Sequence, residues 1–181
     1  MLLNPDSEDA WEQCKLGQTL DFLKDGTHGT HKDADIGPLL LSAKNIKNGT
    51  IEIDRKSERI ISQKDYDNIH STFSLKRNDV LLTIVGTIGE CAILKDPDNI
   101  TFQRSVAFLR PNIKLDSSFL YTIICNGYFQ QELEKRKSVS AQPGIYLGEL
   151  ADINICMPSV SEQKQIGTLY TEFNNLITLH Q

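Results

Sequence analysis

At 181 residues, 39% of them hydrophobic and 24% charged, the chain has the size of one ordinary domain with an appendage and a composition that is neither disordered nor fibrous. No apolar run approaches the roughly 20 residues of a membrane span, and residues 4–9 are too polar and acidic to open a secretion signal. A net charge of −5 speaks against the strongly basic surface of most nucleic-acid binders.

From the N-terminus, residues 16–23 read as a short apolar segment running into a polar loop, residues 24–35, rich in Gly, Thr, His and Asp. Residues 38–43 form a compact strand, and Asn48-Gly49 is a strong turn signal before residues 50–53, so the two segments are expected to pair as a hairpin. Ser62 and Asp65 have the spacing of a helix cap, opening a short helix through His70. The β-branched run 80–85, bounded by Gly86 and Gly89, predicts a second hairpin into residues 91–94. Asp96-Pro97-Asp98-Asn99 is a turn by composition, and residues 105–109 form a strand closed by Pro111.

Asp116 or Ser117 can cap a helix with Phe119, Leu120, Ile123, Ile124, Phe129 and Leu133 on its apolar side. Asn126-Gly127 interrupts this helix, and Lys135-Arg136-Lys137 finishes it with charge that suits the C-terminal dipole. After a polar loop, residues 138–144, a strand ends at Pro158 and a helix starts at once, with Ser159 and Glu162 at capping-box spacing. Behind them Ile166, Leu169, Phe173 and Leu176 follow the spacing of a coiled-coil seam. The seam is too short for an isolated coiled coil, so this helix wants a partner or begins a longer one. The expected fold is α/β or mixed α+β: a twisted mixed sheet with flanking helices, followed by a C-terminal coiled-coil-type helix.

Residue types suited to nucleic acid fall in several places. In the loop 25–32, Thr27, His28, Thr30, His31 and Lys32 can reach phosphate oxygens and base edges, the bland alternative being a solvated loop. Lys44, Asn45 and Lys47 bracket the first hairpin. Asn can pair with adenine and Lys with guanine or phosphate, unless Asn45 and Asn48 merely serve the turn. Gly86-Thr87-Ile88-Gly89 lacks the pattern and the lysine of a P-loop. Hairpin geometry accounts for its glycines, leaving Thr87 as the contact candidate. Gln103 and Arg104 have bidentate geometry for bases, with a surface ion pair as the alternative for Arg104. Lys135, Arg136 and Lys137 are the densest basic patch, either a charged helix end or a set of phosphate contacts, and the polar Ser138, Ser140 and Gln142 that follow favour phosphate. The charge distribution agrees: residues 41–137 hold 15 bases and 12 acids, against 3 and 8 in residues 1–40 and 1 and 4 in residues 138–181. So modest a surplus predicts weak DNA binding by the isolated chain.

Enzymatic readings are poorly supported. Asp152 with Glu162-x-Lys164 has the residue types of a metal-dependent nuclease, but Glu162 and Lys164 fall in the first turn of a helix. Ser161-x-x-Lys164 stands without the companion motifs of a serine–lysine enzyme. There is no NPP[YF] methyltransferase motif, and His28 and His31 are spaced as in a polar loop rather than a metal site. Cys14, Cys91, Cys125 and Cys156 lie far apart with no CxxC pair, which reads as buried free thiols in a cytoplasmic protein.

A strand, then Met157-Pro158-x-x-Ser161-Glu162-Gln163-x-x-Ile166 and a seam helix, resembles the module end of the specificity subunit of type I restriction–modification systems. Trp11 with Lys15-Leu16-Gly17 is similar to that family's opening, and Asp25-Gly26-Thr27-His28-Gly29-Thr30 to its Gly-Thr loop. Residues 42–53 resemble its Asn-Ile-x-x-Gly-x-Ile stretch, and residues 78–82 followed by Gly86-Thr87-Ile88-Gly89 its Gly-Asp-Val-Leu and Gly-Thr-x-Gly signature, with Asn78 in place of the commoner Gly. The resemblance implies a target recognition domain over residues 1–158, reading one half of a split double-stranded DNA site, and the start of a coiled-coil helix over residues 159–181. It further implies a non-catalytic chain that binds no cofactor. Such a subunit positions methyltransferase subunits, which carry S-adenosylmethionine, and a restriction subunit joins them. Full-length members carry two recognition domains, so this chain is expected to be a half-subunit or a fragment. A half-subunit would dimerise head to tail through Ile166, Leu169, Phe173 and Leu176. The rival from another class is a protein-interaction module that docks through its C-terminal helix without reading bases.

Overall fold

The computed structural model describes residues 11–139 and 141–179. Residues 4–9, Ser140 and the last two residues of the expected seam helix lie outside the described residues.

The chain opens with β1 (Glu12–Lys15), a 3-10 turn at Leu16–Thr19 and β2 (Leu20–Asp25). The apolar segment therefore continues as a strand through Asp25, further than its composition indicates. After the polar loop come β3 (Leu39–Leu41), a 3-10 turn at Ala43–Asn45, β4 (Ile46–Lys47) and β5 (Thr50–Ile51). Asn48 and Gly49 both have positive φ, 50° and 77°, which is the two-residue turn whose twist matches paired strands. The hairpin they close joins β4 to β5, not β3 to residues 50–53 as expected. Next are β6 (Arg59–Ile60) and α1 (Gln63–Ile69), capped by the Ser62 hydroxyl, which accepts from the Asp65 amide at 3.1 Å.

The central strands follow: β7 (Val80–Thr83), β8 (Cys91–Ile93), β9 (Ile100–Phe102) and β10 (Val106–Pro111). The second expected hairpin forms as read, Val80 opposite Ile93. β9 was not legible, since three residues after a turn show no period. α2 (Ser117–Cys125) and α3 (Gly127–Arg136) meet at Asn126, which ends one and caps the other, its side chain accepting from the Tyr128 amide at 2.8 Å. α4 (Leu147–Ala151), β11 (Asn154–Met157) and α5 (Val160–Leu179) complete the chain.

Among the described residues the strands form four small sheets where one twisted sheet was expected. The largest has the order β2-β10-β7-β8, β6-β3-β9 is mixed with β3 and β9 parallel, and β1-β11 and β4-β5 are ribbons. In the four-stranded sheet, Val80, Leu82, Ala107 and Leu109 face a core built from α2, α3 and β11, while Leu81, Val106 and Phe108 face a second core against β3 and β9. Apolar side chains are thus needed on both faces, which is why β7 reads as a continuous apolar run rather than an alternating one. Buried Asp79 enters this sheet with two hydrogen bonds from Arg110, both 2.7 Å, and one from the Lys76 amide.

α5 is fixed by its first two turns. Ser159 and Glu162 form the expected capping box. The buried Gln163 amide donates to the carbonyls of Pro158 and Lys114 and accepts from the Asp116 amide at 2.9 Å, tying α5 to the start of α2. At Gly167 a Cβ would lie 2.7 Å from Ser118 Cβ, so this glycine lets α5 cross α2 closely. Ile166 and Tyr170 pack on the main core, whereas Leu169, Phe173 and Leu176 are each more than half exposed. The four-residue seam is corrected accordingly. Ile166 is spent on the chain's own domain, and the uncovered stripe starts at Leu169.

Candidate nucleic-acid interface

The polar loop after β2 is stitched to the bend between β9 and β10. The Gly26 amide donates to Val106 O, the Thr27 amide to Phe102 O at 2.9 Å, and the Arg104 amide back to Thr27 O at 3.1 Å. A Cβ on Gly26 would overlap the Phe102 carbonyl, so glycine is what lets the loop lie on that bend. Two candidates far apart in sequence, the Gly-Thr loop and Gln103-Arg104, are thereby neighbours, joined by a bridge between Thr27 and Gln103.

Within the loop the hydrogen bonds are local. His28 Nε2 is 2.5 Å from Asp25 Oδ2, and His31 Nε2 is 2.8 Å from the Thr27 hydroxyl. The far side is held by Arg59, which donates to the His31 carbonyl and to Asp33. Thr30 and Lys32 stay exposed.

A third segment closes on this pair. Val85 bridges Gly144, the Ile145 amide donates to Ile84 O, and the Ser138 amide donates to Gly144 O. Asp25, His28, Val85, Arg104, Gln142 and Tyr146 then line one cleft of about 290 Å³. Tyr146, 72% exposed and lining the same cleft as Arg104, went unnoticed in the sequence. Its only signal there was an aromatic residue directly after a Gly-containing polar loop. The other end of the 84–90 segment reaches the β4–β5 hairpin, where Glu90 accepts from the Asn48 amide at 3.2 Å, and Thr87 and Lys47 are both exposed.

Ion pairing separates the candidate cations. Arg104, Lys32 and Lys47 make no ion pair among the described residues. By contrast Lys44 is paired with Glu58 at 3.0 Å, Lys135 with Glu132 at 2.8 Å, Arg136 with Glu132, and Lys137 with Glu134 at 2.8 Å. The Lys135 ammonium and then the Arg136 guanidinium hold the Glu132 carboxyl below its usual range. The densest basic patch of the sequence is largely neutralised by its own helix. For Asn45 the contacts favour the turn-serving alternative. It is 2% exposed, its amide donates to Glu52 O and to Glu58, and its oxygen accepts from the Ser42 amide, so it shapes the hairpin. The nuclease-like carboxylates are also engaged elsewhere, Asp152 with Lys15 and Glu162 in the cap of α5.

A mixed α/β body with a polar loop face and a helix carrying an uncovered apolar stripe is a module with two exposed surfaces of different chemistry. A family model described as the type I restriction modification DNA specificity domain matches residues 11–181, and the chain belongs to this family. It is 30% identical over 176 residues to the type I restriction enzyme MjaVIII specificity subunit of Methanocaldococcus jannaschii, covering 93% of this chain and 40% of that protein. It is 27% identical over 160 residues to the EcoBI specificity subunit of Escherichia coli, covering 86% and 33%. In fold it resembles the type I restriction–modification S subunit from M. genitalium, with a TM-score of 0.62 at 17% identity over 97% of this chain and 41% of that one. The HsdS subunit from Thermoanaerobacter tengcongensis gives 0.60 at 16% identity, over 99% and 40%. The chain therefore spans at most about 40% of the length of these relatives.

Proposed function

We propose that this chain reads one half of a bipartite double-stranded DNA site for a type I restriction–modification system. The observation that carries the reading is the convergence of the Gly-Thr loop, Gln103-Arg104 and residues 142–146 on one cleft, with Arg104 making no ion pair among the described residues and an exposed Tyr146 lining the same cleft. Arginine supplies the bidentate geometry for base edges and the charge for phosphate. In this reading, residues up to 158 form the recognition domain and α5 docks a second specificity chain or a methyltransferase subunit through Leu169, Phe173 and Leu176. Catalysis and S-adenosylmethionine belong to the methyltransferase partner and translocation to the restriction subunit, so the chain itself needs no cofactor.

Co-expression with its methyltransferase subunit, followed by mapping of N6-methyladenine, tests the reading. The expected result is a new bipartite motif that disappears when Gln103 and Arg104 are both replaced by Ala. The docking-only alternative is favoured by the neutralised Lys135–Lys137 patch. It predicts co-purification with the partner and no methylated motif.

A further inference from the structure

One cluster of nucleophilic side chains lies apart from the Arg104 cleft. Cys91 on β8 and Cys125 at the end of α2 place their sulfurs 3.5 Å apart, both as free thiols. The other two cysteines give a contrast. Cys14 lies opposite Ile155 and Cys156 opposite Gln13 on the β1–β11 ribbon, one register step apart, so their side chains point to opposite faces. Cys91 and Cys125 both line a cleft of about 440 Å³ whose rim includes Asn48, Glu90, Gln130 and Asn174, and with Cys125 half-buried this gives a small polar solute access to that thiol.

The two thiols are not equivalent. The Cys91 thiol and the Tyr170 and Tyr121 hydroxyls donate to the Cys125 sulfur, and this outweighs burial to bring its pKa down to about 7. Cys91, donating to Cys125 and more deeply buried, is pushed up. Cys125 thus carries the thiolate, the reactive form, and Cys91 keeps its proton.

We propose that Cys91 and Cys125 form a peroxide-reactive dithiol that closes to a disulfide between β8 and α2. The Cys125 thiolate attacks one oxygen of hydrogen peroxide, the O–O bond breaks, and the departing hydroxide takes up a proton, leaving Cys125 as a sulfenic acid. The Cys91 sulfur then attacks the Cys125 sulfur, and the expelled hydroxide takes the Cys91 proton. Two thiols and one peroxide become one disulfide and two waters. Oxidation also removes the thiolate to which Tyr170 donates, and Tyr170 lies on α5, so the modification acts on the attachment of that helix.

The full chain, treated with hydrogen peroxide and mapped without reduction, should yield a peptide pair joining Cys91 to Cys125. Its intact mass should fall by two hydrogen atoms, with Cys14 and Cys156 still open to alkylation. In Cys91→Ser the resolving thiol is gone, and dimedone should mark Cys125. In the untreated protein, alkylation of Cys125 should rise with a midpoint near pH 7. Cys14, whose thiol burial raises above 9.0, should respond only at higher pH. A wild-type map lacking the Cys91–Cys125 link overturns the proposal, and that measurement needs no substitution to fold. Dimedone on Cys14 or Cys156 alone also overturns it.

Discussion

Arg104 and Lys135 carry the same charge and stand in opposite situations. Arg104 is exposed, lines the cleft and makes no ion pair among the described residues, so DNA would meet it without first breaking a contact. Lys135 would have to leave Glu132, which Arg136 also holds. Under the proposed function, Arg104→Ala should cost about 1–3 kcal/mol of specific binding and relax preference at one base position, the signature of lost base readout. Lys135→Ala, removing a cation already offset by a carboxylate, should weaken binding less and equally for all sequences. Fluorescence titration against the mapped motif and a scrambled duplex, within the methyltransferase complex, separates the two. Equal and sequence-independent losses would move the reading face away from Arg104.

At the scale of elements, what the sequence shows depends on how a segment is held. The hairpin turn at Asn48-Gly49, the cap at Ser62, the break at Asn126 and the capping box of α5 are all local chemistry, and all are where the residues place them. β9 and α4 are each too short for a period, and β3 pairs with β9 across nearly sixty residues, so nothing local announces its partner. The candidate site divides along the same line. Its residue types were legible, but the stitching of Thr27 to Gln103 and of Val85 to Gly144 is long-range. Charge neutralisation by Glu132 and Glu134 lies one helical turn away and could have been read. The close crossing of α5 over α2 depends on one glycine. Gly167→Val would drive side-chain atoms into Ser118 and the Phe119 amide, and overpacking of this kind costs about 1–3 kcal/mol. The expected outcome is a lower denaturation midpoint with hydrogen exchange accelerated in α5 and α2 and much less changed in β10. Unchanged protection in α5 would mean that Gln163 and the capping box hold the helix without the close crossing.

For the whole molecule, the decisive quantity is how many cations one chain brings to DNA. The proposed face offers Lys32, Lys47 and Arg104 free of ion pairs among the described residues, on a chain whose net charge is −5. Each phosphate neutralised on duplex DNA contributes about −0.9 to the slope of log K against log salt, so a single face predicts a slope of about −3. So shallow a slope goes with weak binding, which fits a chain that spans about 40% of its MjaVIII relative and that, under the proposed function, reads one half of a split site. If the stripe of Leu169, Phe173 and Leu176 brings a second face into the same complex, the slope should approach about −6. Replacing Leu169 and Phe173 with Asp leaves every proposed DNA contact intact and removes only the apolar stripe. The slope should then return to about −3 and the mass by light scattering to one chain. A variant that keeps the steep slope while remaining dimeric would place the second chain elsewhere on the surface. One that keeps the steep slope as a monomer would show that Lys135 and Lys137 leave their glutamates when phosphate arrives.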